Sequence, residues 1–212
     1  MIILRRLARD TGGSVFVEFT LIFAVFLTVI MGIVEFGLVF WQWNAASKAV
    51  QLGGRLAAVS TPLDPALATI QCAGGSADTG KKPHDYFIRT CSGATGQCTG
   101  TGNATAVNTA AMNTLVFGRG NNACPDPVVG QLPGMCAIFS RITPQNVVVT
   151  YEETGLGFCG RPGGPVPTIT VQLTGLTFDW IFMDVLVPGI GDVVQLPGLR
   201  TTITGEDLKS TN

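Results

Sequence analysis

From Phe19 to Trp43 the chain runs for 25 residues with a single charge, Glu35. That length exceeds what a helix rising ~1.5 Å per residue needs to cross ~30 Å of hydrocarbon, leaving room for tilt. The helical pattern continues past the apolar run. Trp41, Ala45, Ala49, Leu52, Leu56 and Val59 recur at three- and four-residue steps, with Gln42, Lys48, Gln51 and Arg55 on other faces. Pro62, preceded by Ser60 and Thr61, ends it. The pattern predicts one helix of about 45 residues, half for lipid and half amphipathic, resting on a soluble domain. The Gly53-Gly54 pair is its weak point, costing ~1 kcal/mol per glycine and offering a place to bend.

Beyond Pro62 the pattern changes. Short alternating runs at Val147–Tyr151, Thr168–Leu173 and Thr201–Thr204 predict strands. The stretch from Cys72 to Thr109, rich in Gly, Thr, Ser and Ala, reads as irregular loop. Ala110–Phe117 reads as a short helix leading into a strand. No internal repeat is visible and no second long apolar stretch follows. The expected fold is α+β, a long N-terminal transmembrane and amphipathic helix packed on a small antiparallel sheet domain with disulfide-stapled loops. Its divisions are a basic leader over 1–13, the helix over 14–60, and a domain over 61–212. About 150 residues can bury one core.

Charge narrows the partners. Residues 61–212 carry 8 Lys plus Arg against 11 Asp plus Glu, so no basic field attracts nucleic acid. Arg5, Arg6 and Arg9 precede the apolar run, which puts the N-terminus in the cytoplasm and everything past about Gln42 outside. Trp41 and Trp43 sit at the far end, where indole rings favour the headgroup zone. All six cysteines, Cys72, Cys91, Cys98, Cys124, Cys136 and Cys159, then lie on the exported side. An even number there argues for disulfides, with 15 full pairings open. A zinc site is the rival, but no two cysteines have the close spacing such sites favour.

Catalysis has little support. His84 is the only histidine and stands in a charged loop, K-K-P-H-D. Glu152 and Glu153 are adjacent at a strand end and point to opposite faces, which suits a polar rim. There is no phosphate-binding glycine loop with its lysine and no H-E-x-x-H. The chain is expected not to be an enzyme and to need no metal or cofactor.

The N-terminal segment is the most informative. Glu18 stands at the head of the apolar run, where a carboxylate is costly, ~2.5–3.5 kcal/mol at mid-bilayer, and therefore functional by default. The string Gly13-Ser14-Val15-Phe16-Val17-Glu18-Phe19 resembles a type IV prepilin cleavage site. That resemblance implies cutting between Gly13 and Ser14 on the cytoplasmic face, leaving Glu18 as fifth residue of the mature chain. A free amine on Ser14 and a carboxylate in low dielectric attract strongly, and pairing between neighbouring subunits would set assembly register. Signal-peptidase removal near Ala45-Ala46-Ser47 would follow an unusually long core, and a plain anchor leaves Glu18 unexplained. Glu35, in M-G-I-V-E-F-G, lies ~25 Å further along on another face. It either reaches water near the outer interface, in room opened by Gly32 and Gly37, or contacts a partner helix.

Together the basic leader, Gly13, Val17-Glu18-Phe19, G-I-V-E-F-G at Gly32–Gly37, and N-A-A-S-K-A-V-Q-L-G-G-R at Asn44–Arg55 resemble the TadE-like pseudopilins of the tight adherence (Flp) pilus system. Weaker echoes are Leu115–Gly118 as a strand-and-glycine element, Ile142–Thr150 as a valine-rich strand, and Leu199–Glu206 as a closing strand. Only residues 5 to 58 are motif-grade. The six cysteines and the glycine-rich Cys72–Thr109 stretch depart from the family pattern. The resemblance implies a minor pseudopilin-like subunit, processed by a prepilin peptidase, that helps assemble the pilus. Gly13, Ser14, Glu18 and Phe19 would be its processing and assembly residues. Its implied partners are that peptidase, other pilins and pseudopilins, the inner-membrane assembly platform and membrane lipid. Its implied location is the inner membrane, single-pass, with a periplasmic C-terminal domain. The alternative is a single-pass anchored binding module, an adhesin or sensor, with no part in pilus assembly.

Overall fold

The computed structural model describes residues 13–70, 80–81, 86–126, 130–161, 164–186, 188–189 and 195–205. Cys72 and His84 fall outside the described residues, as does the basic leader up to Gly12. The chain divides into two compact units, one of residues 1–41 with 179–193, the other of residues 42–178 with 194–212. A single helix, α1 (Ser14–Val59), supplies the first part of each. It stops at Val59, where Ser60, Thr61 and Pro62 break the pattern as predicted.

In the larger unit a six-stranded antiparallel sheet has the order β3-β2-β1-β4-β7-β8. Its strands are β1 (Ile88–Ser92), β2 (Gln97–Gly100), β3 (Thr105–Ala106), β4 (Val147–Glu152), β7 (Thr168–Leu173) and β8 (Leu199–Thr204). A small separate pair is made by β5 (Phe158–Arg161) and β6 (Gly164–Val166). The three strands predicted from alternation are β4, β7 and β8. The stretch read as irregular loop instead carries β1, β2 and β3. Apart from Ile88 and Ala106 their residues are polar, Gly or Cys, so pairing in series, β1 on β4, β2 on β1 and β3 on β2, decides their state.

Period two sorts the sheet into faces. Registers Arg89↔Tyr151, Tyr151↔Ile169 and Ile169↔Ile203 align one row, and Cys91↔Val149, Val149↔Val171 and Val171↔Thr201 the next, all on one face. Val147, Val149, Tyr151, Ile169 and Val171 are fully buried there. The opposite face carries Thr90, Thr150, Thr170 and Thr202 side by side, hydrogen-bonded in pairs at 3.2 Å (Thr90 and Thr150) and 3.0 Å (Thr170 and Thr202).

The C-terminal part of α1 covers the buried face through small residues, with Ala46, Ala49, Ala57 and Ala58 buried. α1 stays helical through Gly53 and Gly54. A Cβ built on Gly53 would stand 2.6 Å from Met135 Sδ, and one on Gly54 would stand 2.7 Å from Thr201 Cγ2. The pair exists so that the helix backbone can approach the core. The short helix α2 (Thr109–Phe117) is capped by Asn108, whose side chain accepts the Ala111 N–H. Leu115–Phe117 are its last turn, not a strand. Gly118 (φ +88°) ends it in a conformation other residues avoid and makes a single bridge to Pro133.

Two disulfides close described loops. Cys91–Cys98 staples the β1–β2 hairpin and Cys124–Cys136 joins the segment after α2 to a buried turn at Met135–Ala137. Cys159 on β5 is disulfide-bonded as well. The sulfurs of Cys91 and Cys98 lie with the Asp64 carboxylate within 4.8 Å of one another. Those donors are committed elsewhere, the two cysteines to each other and Asp64 to Arg89.

In the smaller unit, α1 from Ser14 to Trp41 is accompanied by residues 179–186 and 188–189, among them a one-turn helix, α3 (Met183–Leu186).

Candidate assembly site on the apolar helix

The apolar half of α1 exposes large side chains on every side. Val15, Phe16, Phe19, Leu21, Ile22, Val25, Phe26, Val29, Ile33, Phe36 and Phe40 all lie more than half exposed. A water-soluble helix does not do this; a lipid-facing one must. The hydroxyls of Thr20 and Thr28 donate to the carbonyls of Phe16 and Ala24 one turn earlier. They bring no unmet polar group into an apolar solvent. By length and composition α1 is able to cross a membrane, consistent with single-pass anchoring.

At its start, Gly13 precedes the first helical residue, Ser14. A Cβ built on Gly13 would meet nothing within 4 Å, so among the described residues no packing demands a glycine there. Glu18 is exposed one turn into α1, and among the described residues no cation pairs with it. Phe19 beside it stacks on Phe23, ring centroids 5.8 Å apart.

Glu35 differs sharply. It is 2% exposed despite lying within the apolar run. Its Oε1 accepts the Ile181 N–H at 2.6 Å and its Oε2 the Phe182 N–H at 2.9 Å. Two amides at the entry to α3 therefore grip one carboxylate, a charge-assisted pair that satisfies groups on both sides. The carboxylate is engaged within its own chain rather than turned toward water. Sequence reasoning missed its acceptor role. The one available signal was the apolar string Trp180-Ile181-Phe182-Met183, set between Asp179 and Asp184.

Also unforeseen is a polar cluster within the larger unit. Asp64 and Arg89 are both fully buried and ion-paired. Arg89 donates to the carbonyls of Thr101 (3.0 Å) and Asn103 (2.8 Å) and to Thr105 Oγ1 (3.0 Å). Asp64 accepts from the Thr105 hydroxyl at 2.7 Å and from the Ala66 N–H at 2.9 Å. Burial by itself would push the Asp64 carboxyl up; the bonds from Arg89, Thr105 and Ala66 with the Arg89 charge outweigh it and hold it below its ordinary value. Next to it, the buried Tyr151 hydroxyl accepts the Leu63 N–H at 3.0 Å, and burial raises its pKa. These groups fasten the chain leaving α1 to the sheet. Of the adjacent pair at the end of β4, Glu152 accepts the Tyr86 hydroxyl, which raises the tyrosine's pKa, while Glu153 is buried and accepts the Gly155 N–H. The polar-rim reading holds for the first and fails for the second.

These features describe an α+β protein with, among the described residues, one N-terminal apolar helix that could span a membrane. The family model described as TadE-like protein matches residues 13–55. The matched segment begins at the glycine before α1 and ends at Arg55, one turn short of the helix end. The match is consistent with a TadE-like protein of the tight adherence system and suggests involvement in the Tad (Flp) pilus system, in association with components of its machinery. No curated protein and no solved structure matches the chain.

Proposed function

We propose that this chain is a minor pseudopilin-like subunit of Flp pilus assembly, cut by a prepilin peptidase between Gly13 and Ser14. The observation that carries the reading is Glu18, an exposed carboxylate at the head of a lipid-facing helix with no bonded cation among the described residues. An unpaired charge there is costly, and the amine freed on a neighbour's Ser14 would meet it. Gly13 supports the same reading, because the packing of the described residues leaves room for a side chain there, whereas a peptidase cleft built on bare backbone would not. The N-terminus is cytoplasmic, the larger unit periplasmic, and the host bilayer the inner membrane. The protein acts as a structural subunit rather than an enzyme, with other pilins, the assembly platform and the peptidase as partners.

Two measurements test this. Intact mass of the protein recovered from membranes should show a new terminus at Ser14. A retained Met1, or a terminus near Ser47, refutes processing at this site. Glu18→Gln should leave cleavage and insertion intact and abolish crosslinking to pilus components. Breaking a buried pair costs ~3–5 kcal/mol, a factor of hundreds or more in association. Parental piliation in that variant would favour the anchored binding module instead.

A further inference from the structure

We propose that Asp179–Gly189 is a second membrane contact, an interfacial element that dips into the far leaflet beside α1 and is held there by Glu35. This rests on α1 spanning a bilayer and is independent of any role in pilus assembly.

The depth follows from the helix itself. Glu35 lies ~24 Å along α1 from Phe19, the start of the charge-poor run, and ~9 Å short of Trp41. With ~30 Å of hydrocarbon beginning near Phe19, the Glu35 carboxylate is still inside the far leaflet. The amides of Ile181 and Phe182 are bonded to it, so that backbone lies at the same depth. The helix surface around the site is already lipid-facing, with Ile33 68% and Phe36 73% exposed.

The chemistry of the segment matches such a place. Ile181 is 55% and Val185 82% exposed, apolar side chains that the described residues leave largely uncovered. Non-helical backbone tolerates hydrocarbon only when its polar groups are met. Glu35 supplies two acceptors for the two amides that enter α3, and they in turn compensate its buried charge. The cost of a glutamate in the span and the cost of a loop in lipid cancel each other. Asp184 is exposed and accepts the Gly189 N–H at 3.3 Å, which keeps α3 at the boundary of headgroups and acyl chains rather than at the bilayer centre. Residues 179–189 contain no Lys or Arg, so the attraction is apolar and independent of anionic lipid.

The test uses the full chain carrying Trp41→Phe and Trp43→Phe, which leaves Trp180 as the sole tryptophan, reconstituted in phosphatidylcholine vesicles. Lipids brominated near the headgroup end of the acyl chain should quench most of the Trp180 emission, deep-brominated lipids less, and aqueous iodide little. Adding phosphatidylglycerol should change nothing. Glu35→Leu should restore emission in brominated lipid and expose Trp180 to iodide, while the protein stays resistant to carbonate extraction through α1. Val185→Asp should reduce bromine quenching with Glu35 unchanged. Free quenching of Trp180 by iodide in the parent overturns the proposal. Shielding from both iodide and bromine also overturns it, because a protein surface then covers the segment. Unchanged quenching in Glu35→Leu overturns the role of the carboxylate.

Discussion

Arg89→Met should be among the most damaging single substitutions in the larger unit. The methionine fills much of the same volume but returns none of the guanidinium's bonds. It leaves the Asp64 carboxylate, 0% exposed, with only the Thr105 hydroxyl and the Ala66 amide. Removing one member of a buried ion pair costs ~3–5 kcal/mol. The carbonyls of Thr101 and Asn103 lose their donor too; being partly buried they add toward the low end of ~1–3 kcal/mol each. A loss of ~5–7 kcal/mol is comparable with the whole stability of many domains. The assay is urea unfolding of detergent-solubilised full chain, followed by near-ultraviolet circular dichroism of the larger unit. Asp64→Leu combined with Arg89→Met should cost clearly less than the two single changes summed, since no charge then remains unpaired. The pH dependence has a fixed sign. With the folded carboxyl held below its ordinary 3.8, its stabilisation is fully present above that value and is lost as pH falls through the lower folded one. Asp64→Asn should remove that acid-side loss. A cost under ~1 kcal/mol for Arg89→Met, or additive single and double variants, would refute the reasoning.

Gly54→Val should destabilise the same unit by ~1–3 kcal/mol despite valine's better helix propensity, because its Cβ meets Thr201 on a stiff strand, and Thr201→Ala should recover part of it. Tyr151→Phe should cost ~1–3 kcal/mol by orphaning the Leu63 N–H, with secondary structure unchanged by circular dichroism; a neutral effect would mean that amide finds another acceptor. Alkylation of the native protein should leave Cys91, Cys98, Cys124, Cys136 and Cys159 unlabelled until reductant is added, and modification of either bridge's cysteines without reductant contradicts the pairing.

The long helix was legible residue by residue because its causes are local. A 25-residue run with one charge admits few structures, the recurrence of Ala45, Ala49 and Leu56 marks a covered face although Val59 is exposed and Gln42 buried, and Pro62 cannot continue a helix. Strands β4, β7 and β8 were legible for the same reason, since their alternation reports a half-buried sheet. Strands β1 to β3 were not, because their mostly polar residues carry no run of apolar alternation and become strand by pairing, β1 with β4, β2 with β1 and β3 with β2. The packing role of the helix glycines was not legible, because propensity scores a residue against water, whereas Met135 and Thr201 approach from distant sequence. The partners of the charges were hidden by the same distance. Arg89 meets Asp64 25 residues away, and Glu35 meets the Ile181 amide 146 residues away. A carboxylate's cost in an apolar run can be computed from its neighbours in sequence, but the groups that offset it are brought there only by the folded chain.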